Sequence, residues 1–212
     1  MRLVVDEVTV RYPRADRHIL ADASLTVEPD RTLAVLGPSG SGKSTLLSVL
    51  GGLVTPTRGT ARVAVAEGLA PALRDVTAWV LQTVNVLPER SALDNVAVAA
   101  RTRGLGREES RAVAADRLAD VGLARRAGDA ARVLSGGELQ RVVIARALAS
   151  ARPFLLADEP TGQLDRATSE AVLDALFTTS VGAGVVVVTH DLAVAARCDS
   201  IVRIDDGRVV TA

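Results

Sequence analysis

Gly37-Pro38-Ser39-Gly40-Ser41-Gly42-Lys43-Ser44-Thr45 is the stretch that decides the fold. It fits the template G-x-x-x-x-G-K-[ST] at every fixed position. Before it, residues 33–36 form an apolar run suited to a buried strand; after it, Leu46, Leu47, Val49, Leu50 and Leu53 recur at helical spacing around the breakers Gly51 and Gly52. A glycine-rich loop between strand and helix brings backbone N–H groups close to an anion, and the helix dipole adds attraction. Residues 37–45 are therefore candidate phosphate ligands. Lys43 would reach the β- and γ-phosphates of a nucleotide, and Ser44 would place its hydroxyl on Mg²⁺. The chain holds 25 Lys and Arg residues, and Lys43 is its one lysine. A compact ammonium here, in a chain that uses guanidinium everywhere else, points to a requirement of the site.

Composition narrows the class. Length, 212 residues, suits one domain with room for an insertion, and the core must be aliphatic, since aromatics make up 2% of the chain. The 25 acidic and 25 basic residues cancel, which gives no electrostatic case for nucleic-acid binding. No apolar stretch reaches the ~20 residues of a membrane span, and Met1-Arg2-Leu3-Val4-Val5-Asp6-Glu7 lacks a signal-peptide pattern, so residence in the cytoplasm is expected. Cys198 stands alone, which rules out an intramolecular disulfide.

The patterning predicts two kinds of strand. Residues 3–12, 23–28 and 58–65 read as strands, and in the last two apolar and polar residues alternate, the mark of an antiparallel sheet with one covered face. Residues 33–36, 154–157 and 185–188 are continuous apolar runs, expected of parallel strands buried on both faces. Strand signals vanish between about 84 and 134, where Ser91 opens one helix and Glu108-Glu109 another that ends at Gly122. The expected fold is α/β: a mostly parallel core sheet with an antiparallel β layer (1–83 and 135–212) and an inserted helical subdomain (84–134). Further helices are expected near 138–150 and 168–179, with a terminal hairpin turning at Asp206-Gly207.

All three continuous runs end in functional groups: the phosphate loop, Asp158-Glu159, and Thr189-His190-Asp191. Ligands of parallel sheets bind at the carboxyl ends of strands, so these groups should converge. Asp158 suits hydrated Mg²⁺, Glu159 an attacking water, and His190 the γ-phosphate and that water. Leu134-Ser135-Gly136-Gly137-Glu138-Leu139-Gln140 reads locally as a capping box. Capping does not need consecutive glycines, whereas a helix start pressed against an outside phosphate does. A second phosphate site in a chain with one phosphate loop implies sites shared between subunits.

Residues 37–45, Gln82, 134–140, 154–159, Leu164-Asp165 and His190 stand in the order and at about the spacing of the ATP-binding cassette (ABC) family, which the whole chain resembles. The resemblance implies a phosphate-loop NTPase that hydrolyses ATP with Mg²⁺ as a head-to-tail dimer. Each ATP would lie between the phosphate loop of one subunit and Ser135, Gly136 and Gly137 of the other. By position, Gln82 would sense Mg²⁺ and the γ-phosphate, Asp165 would communicate across the dimer, and Tyr12 would stack on adenine. Residues 51–59 and 158–165 look like the branch of lipoprotein-releasing, macrolide-export and cell-division ATPases. Departures are Asp30-Arg31 in place of Gly-Glu, a short 67–76 segment, and Thr83-Val84-Asn85 without aromatics after Gln82. The implied partners are a separate membrane permease and an identical or closely related second cassette, with the chain peripheral on the inner face of the membrane. A soluble ABC-class ATPase acting on DNA or ribosomes would carry a coiled coil or a fused second cassette. An importer ATPase remains an alternative, and a small-molecule kinase would leave 134–140 unexplained. Val84, Val86 and Leu87 interrupt a polar connection after Gln82, and a permease helix is expected to dock near residues 82–98.

Overall fold

The computed structural model describes residues 1–13 and 18–211. Contacts divide the chain into two units, one of residues 1–77, 153–159 and 182–212, the other of 78–152 and 160–181.

In the first unit, β1 (Arg2–Val10), β2 (Leu20–Val27) and β4 (Arg58–Ala64) form an antiparallel sheet in the order β2-β1-β4. Leu3 pairs with Val27 and with Val63, so three apolar side chains share one face. A bulge between Val5 and Val8, with Glu7 at φ 48°, resets the alternation so that both valines are buried. The main sheet runs β6-β7-β3-β8-β9 within this unit. β3 (Thr32–Leu36), β6 (Phe154–Asp158), β7 (Gly184–Thr189) and β8 (Ser200–Asp205) are mutually parallel, and β9 (Arg208–Thr211) returns antiparallel to β8. Every residue of β7 is buried, as its unbroken run of valines requires. α1 (Lys43–Leu50) follows β3 and buries Leu46, Leu47, Val49 and Leu50. Leu53, expected on its apolar face, lies beyond the helix and is 67% exposed, because α1 ends where Gly51 and Gly52 take over. Two short helices, α2 (Leu73–Val76) and α7 (Leu192–Ala195), complete the unit.

The second unit is helical apart from β5 (Thr77–Val80), whose last three residues enter it. α3 (Ala92–Arg101) starts at Ser91, whose hydroxyl caps the Asp94 amide, as its sequence suggests. α4 (Arg107–Asp120) packs on α3; α5 (Gly136–Ala149) packs on both and on α6 (Arg166–Thr179). α5 is buried nearly all round, with Val142, Val143, Ile144, Ala145, Ala147 and Ala149 inside, and is the axis of this unit. The grouping therefore joins α5 and α6 to the helices of 84–134, because α5 supplies the surface on which α3 and α4 bury their apolar faces. No helix among the described residues is long and apolar enough to cross a membrane.

Candidate nucleotide site

In the first unit the carboxyl ends of β3, β6 and β7 present the phosphate loop, Asp158-Glu159 and His190 together, in register across the strands: Leu36 pairs with Thr189, and Asp158 with Val188. Gly42, at φ 107°, caps α1 in the left-handed region, and a Cβ there would lie 2.6 Å from the Ile19 carbonyl oxygen. Glycine is required on both counts. No side chain caps the start of α1 and no acidic residue stands in its first turn, so the amides that begin this helix are open to an anion. Lys43 is 8% exposed, and its Nζ donates to the carbonyls of Gly37 (2.8 Å) and Pro38 (2.9 Å), arching the loop over the ammonium. The Ser41 hydroxyl is buried and has no partner among the described residues. An orphaned donor inside an uncapped helix start fits a phosphate cradle. A recess of about 210 Å³ adjoins the loop, walled by Ile19, residues 38–41 and the turn Asp205-Asp206-Gly207.

Asp158 and Glu159 differ in environment. Burial holds the Asp158 carboxyl above its ordinary range; the Ser44 hydroxyl, hydrogen-bonded to it, draws it down, Glu159 raises it and Lys43 lowers it. A hard cation placed by Ser44 and Asp158 would replace that burial penalty with attraction, so the oxygen donors fit Mg²⁺. Glu159 sits at φ 45°, its amide fixed to the Val188 carbonyl at 2.9 Å. A non-glycine residue in this region stores roughly 1 kcal/mol of strain, held by the strand pairing beside it. Its Oε1 lies 2.9 Å from His190 Nδ1. With the carboxylate ionised, Nδ1 carries the hydrogen and donates it, leaving Nε2 able to donate to a phosphate only in the imidazolium form. His190 is thus tied first to Glu159, a pairing the sequence reading did not include. Tyr12 follows β1 and is 42% exposed.

The second unit holds the remaining candidates. Ser135 and Glu138 make the full capping box: Ser135 Oγ accepts from the Glu138 amide at 3.3 Å, and Glu138 Oε2 accepts from the Ser135 amide at 2.8 Å. The Ser135 backbone hydrogen bond holds the Glu138 carboxyl below its ordinary range, with Arg126 contributing. The two glycines have different reasons. A Cβ on Gly137 would lie 2.1 Å from Thr168 Cγ2, so packing within the chain already demands glycine there. Gly136 is exposed, and a Cβ would meet only Leu164 Cδ2 at an ordinary 3.5 Å. The case for an outside ligand at this helix start rests on Gly136 and the exposed Ser135. Asp165 caps α6, accepting from the Thr168 amide (3.1 Å) and hydroxyl (2.6 Å), and these bonds lower its pKa. Gln82 is exposed, but the segment around it is held: buried Gln140 donates to the Leu81 carbonyl at 3.2 Å, and Arg146 donates to the Asn85 carbonyl at 2.7 Å and to its side chain. Both anchors lie on α5.

The family description "ABC transporter" matches residues 20–162. The chain belongs to the ABC transporter family. This cassette is an ATPase. It is 41% identical over 221 residues to the lipoprotein-releasing system ATP-binding protein LolD 1 of Rhodospirillum rubrum, covering 99% of this chain and 98% of that protein. It is 42% identical over 209 residues to the macrolide export ATP-binding/permease protein MacB of Rhodopseudomonas palustris, covering 94% of this chain and 32% of that protein. The chain thus spans about a third of the length of the macrolide export proteins it matches. Among solved structures, the dimeric post-hydrolysis state of the ATP-binding cassette MJ0796 bound to ADP and Pi superposes with TM-score 0.84 at 33% identity, covering 98% of this chain and 96% of that one.

Proposed function

We propose that this cassette is the ATPase subunit of a transporter or mechanotransmission complex of the lipoprotein-release or efflux type, working as a head-to-tail dimer on a separate permease at the cytoplasmic face of the membrane. The whole chain acts as one cassette, with residues 84–134 as its helical subdomain. The phosphate loop holds ATP, with Lys43 on the β- and γ-phosphates and Tyr12 against the base. Mg²⁺ would be held by Ser44 and Asp158 and, as the family resemblance implies, sensed by Gln82, and it would supply charge neutralisation at the phosphates. Glu159 orients and deprotonates the attacking water, and His190 fixes the Glu159 carboxylate by the 2.9 Å contact. Ser135, Gly136 and Gly137 of the second cassette close over the γ-phosphate, with Asp165 signalling between the two.

The single observation that carries the coupling is α5. Its exposed start, Ser135-Gly136, would face the partner's nucleotide, and its Gln140 and Arg146 hold residues 81–85. Movement of that start on dimer closure would therefore reach Gln82 and the apolar residues beyond it. Leu87, 53% exposed, is the docking residue that this reading selects for the permease. Leu87→Asp in the complex with the permease should fold, bind ATP and lose permease-stimulated hydrolysis. A folded variant that still responds fully to the permease would overturn the docking assignment.

A further inference from the structure

We propose that Arg126 is a positioning residue for the shared nucleotide site: by neutralising Glu138 it lets the start of α5 receive the γ-phosphate held by the second cassette. This rests on the head-to-tail reading above and adds what makes that helix start fit for an anion. Arg126, Asp129, Ser135, Gly136 and Glu138 all belong to the second unit.

A helix start attracts an anion through its free amides, and the amides of Gly136 and Gly137 take no acceptor among the described residues. Yet the first turn of α5 carries an acid, Glu138, where the first turn of α1 carries none. The Glu138 carboxylate folds back over this turn, Oε2 accepting from the Ser135 amide at 2.8 Å. It stays ionised: that hydrogen bond holds its pKa below the ordinary value against burial, with the Ser135 hydroxyl and Arg126 acting in the same direction. A bare carboxylate here would oppose a phosphate in two ways. It would repel the incoming charge, and it would compete for the Ser135 hydroxyl, whose oxygen already accepts from the Glu138 amide at 3.3 Å and whose hydrogen is left to offer outward.

Arg126 removes both obstacles. Its Nε donates to Glu138 Oε1 at 3.2 Å, the oxygen that the Ser135 amide leaves open, so the charge and the spare acceptor are met from inside the chain. The Glu138 side chain is only 22% exposed, which keeps the pair partly shielded from solvent screening. The guanidinium is also held in advance. Its Nη1 pairs with Asp129 at 2.7 Å, and the turn 126–129 is fixed to the start of α3, where the amides of Ala92 and Leu93 donate to the carbonyls of Asp129 and Ala127 at 2.9 and 3.0 Å. A capping box by itself needs the serine and the glutamate, not an arginine behind them.

The test is sedimentation of the full Glu159→Gln chain in Mg·ATP, alone and with Arg126→Gln, Arg126→Gln/Glu138→Gln or Asp129→Asn added. Arg126→Gln should weaken the dimer about tenfold, roughly threefold at each of two shared sites, while ATP binding to the dilute monomer stays unchanged. Arg126→Gln/Glu138→Gln should dimerise like the parent, because the charge that needed an arginine is gone. Asp129→Asn should dimerise like the parent as well. Undiminished dimerisation with Arg126→Gln would overturn the proposal and leave the shared site standing. So would a loss that Glu138→Gln does not rescue, a chain that folds in neither form, or an equal loss from Asp129→Asn, since Arg126 would then hold the turn rather than neutralise the helix start. No dimer of the Glu159→Gln parent in Mg·ATP would overturn the head-to-tail reading, and this proposal with it.

Discussion

Replacing Gly137 by alanine isolates how much of the Ser135-Gly136-Gly137 start belongs to the chain itself. The new Cβ would lie 2.1 Å from Thr168 Cγ2, well inside van der Waals contact. Thr168 cannot easily turn away, because its hydroxyl is bonded to Asp165 at 2.6 Å and its amide to the same carboxylate at 3.1 Å. Overpacking of this kind costs about 1–3 kcal/mol, and alanine for glycine in a helix returns up to about 1 kcal/mol, so a net loss of about 1–2 kcal/mol is expected. Thr168→Ser removes Cγ2 and keeps the hydroxyl. In that background Gly137→Ala should be neutral or stabilising, giving a coupling of about 1–3 kcal/mol in a double-mutant cycle. Urea unfolding at constant slope measures it. A neutral Gly137→Ala, or an equal loss with and without Thr168→Ser, would refute the steric argument. ATPase activity of the relaxed double variant adds a second answer: a stable but inactive protein would mean that the amide face at 137 also serves an outside ligand.

Other variants probe the remaining links. Arg146→Met removes the fork on Asn85 and should cost about 1–2 kcal/mol of stability; it should weaken permease stimulation more than basal hydrolysis, which parallel losses in both would contradict. Glu138→Gln tests the capping box through pH. Its carboxyl is held below the ordinary value, so its contribution is present above the unfolded pKa of about 4.5 and is lost as pH falls through the lower folded value. The stability gap between wild type and Glu138→Gln should accordingly close on acidification, and a gap independent of pH would show that the carboxylate charge is not what the helix start uses. Glu159→Gln should dimerise in Mg·ATP by light scattering, because closure outlasts hydrolysis; a monomer with and without nucleotide would count against the shared site.

Much of the site was legible because phosphate chemistry imposes a local pattern: residues 37–45 had to be a glycine loop between a strand and a helix, and continuous apolar runs had to be parallel strands. The parts that escaped depend on tertiary contact. Glu159 and His190 are 31 residues apart and meet only because β6 and β7 are neighbours. The turn Asp205-Asp206-Gly207 reaches the phosphate loop because β8 pairs with β3. Gly137 read as a contact for an outside phosphate, yet Thr168, far along the chain, already excludes a side chain there. The elements α2, β5 and α7, four residues each, are too short to carry a period.

The central claim is that Glu159, held by His190 beside a Ser44–Asp158 metal site, is the base for ATP hydrolysis. Glu159→Gln keeps the size of the side chain and an oxygen for the 2.9 Å contact, so nucleotide affinity and melting temperature should stay close to wild type. Single-turnover hydrolysis of Mg·ATP by the same purified sample, with bound ATP quantified in parallel, is the direct measurement. The expected result is undiminished ATP binding with hydrolysis slowed about 10²–10⁴-fold. Near-normal turnover at full occupancy would contradict the assignment.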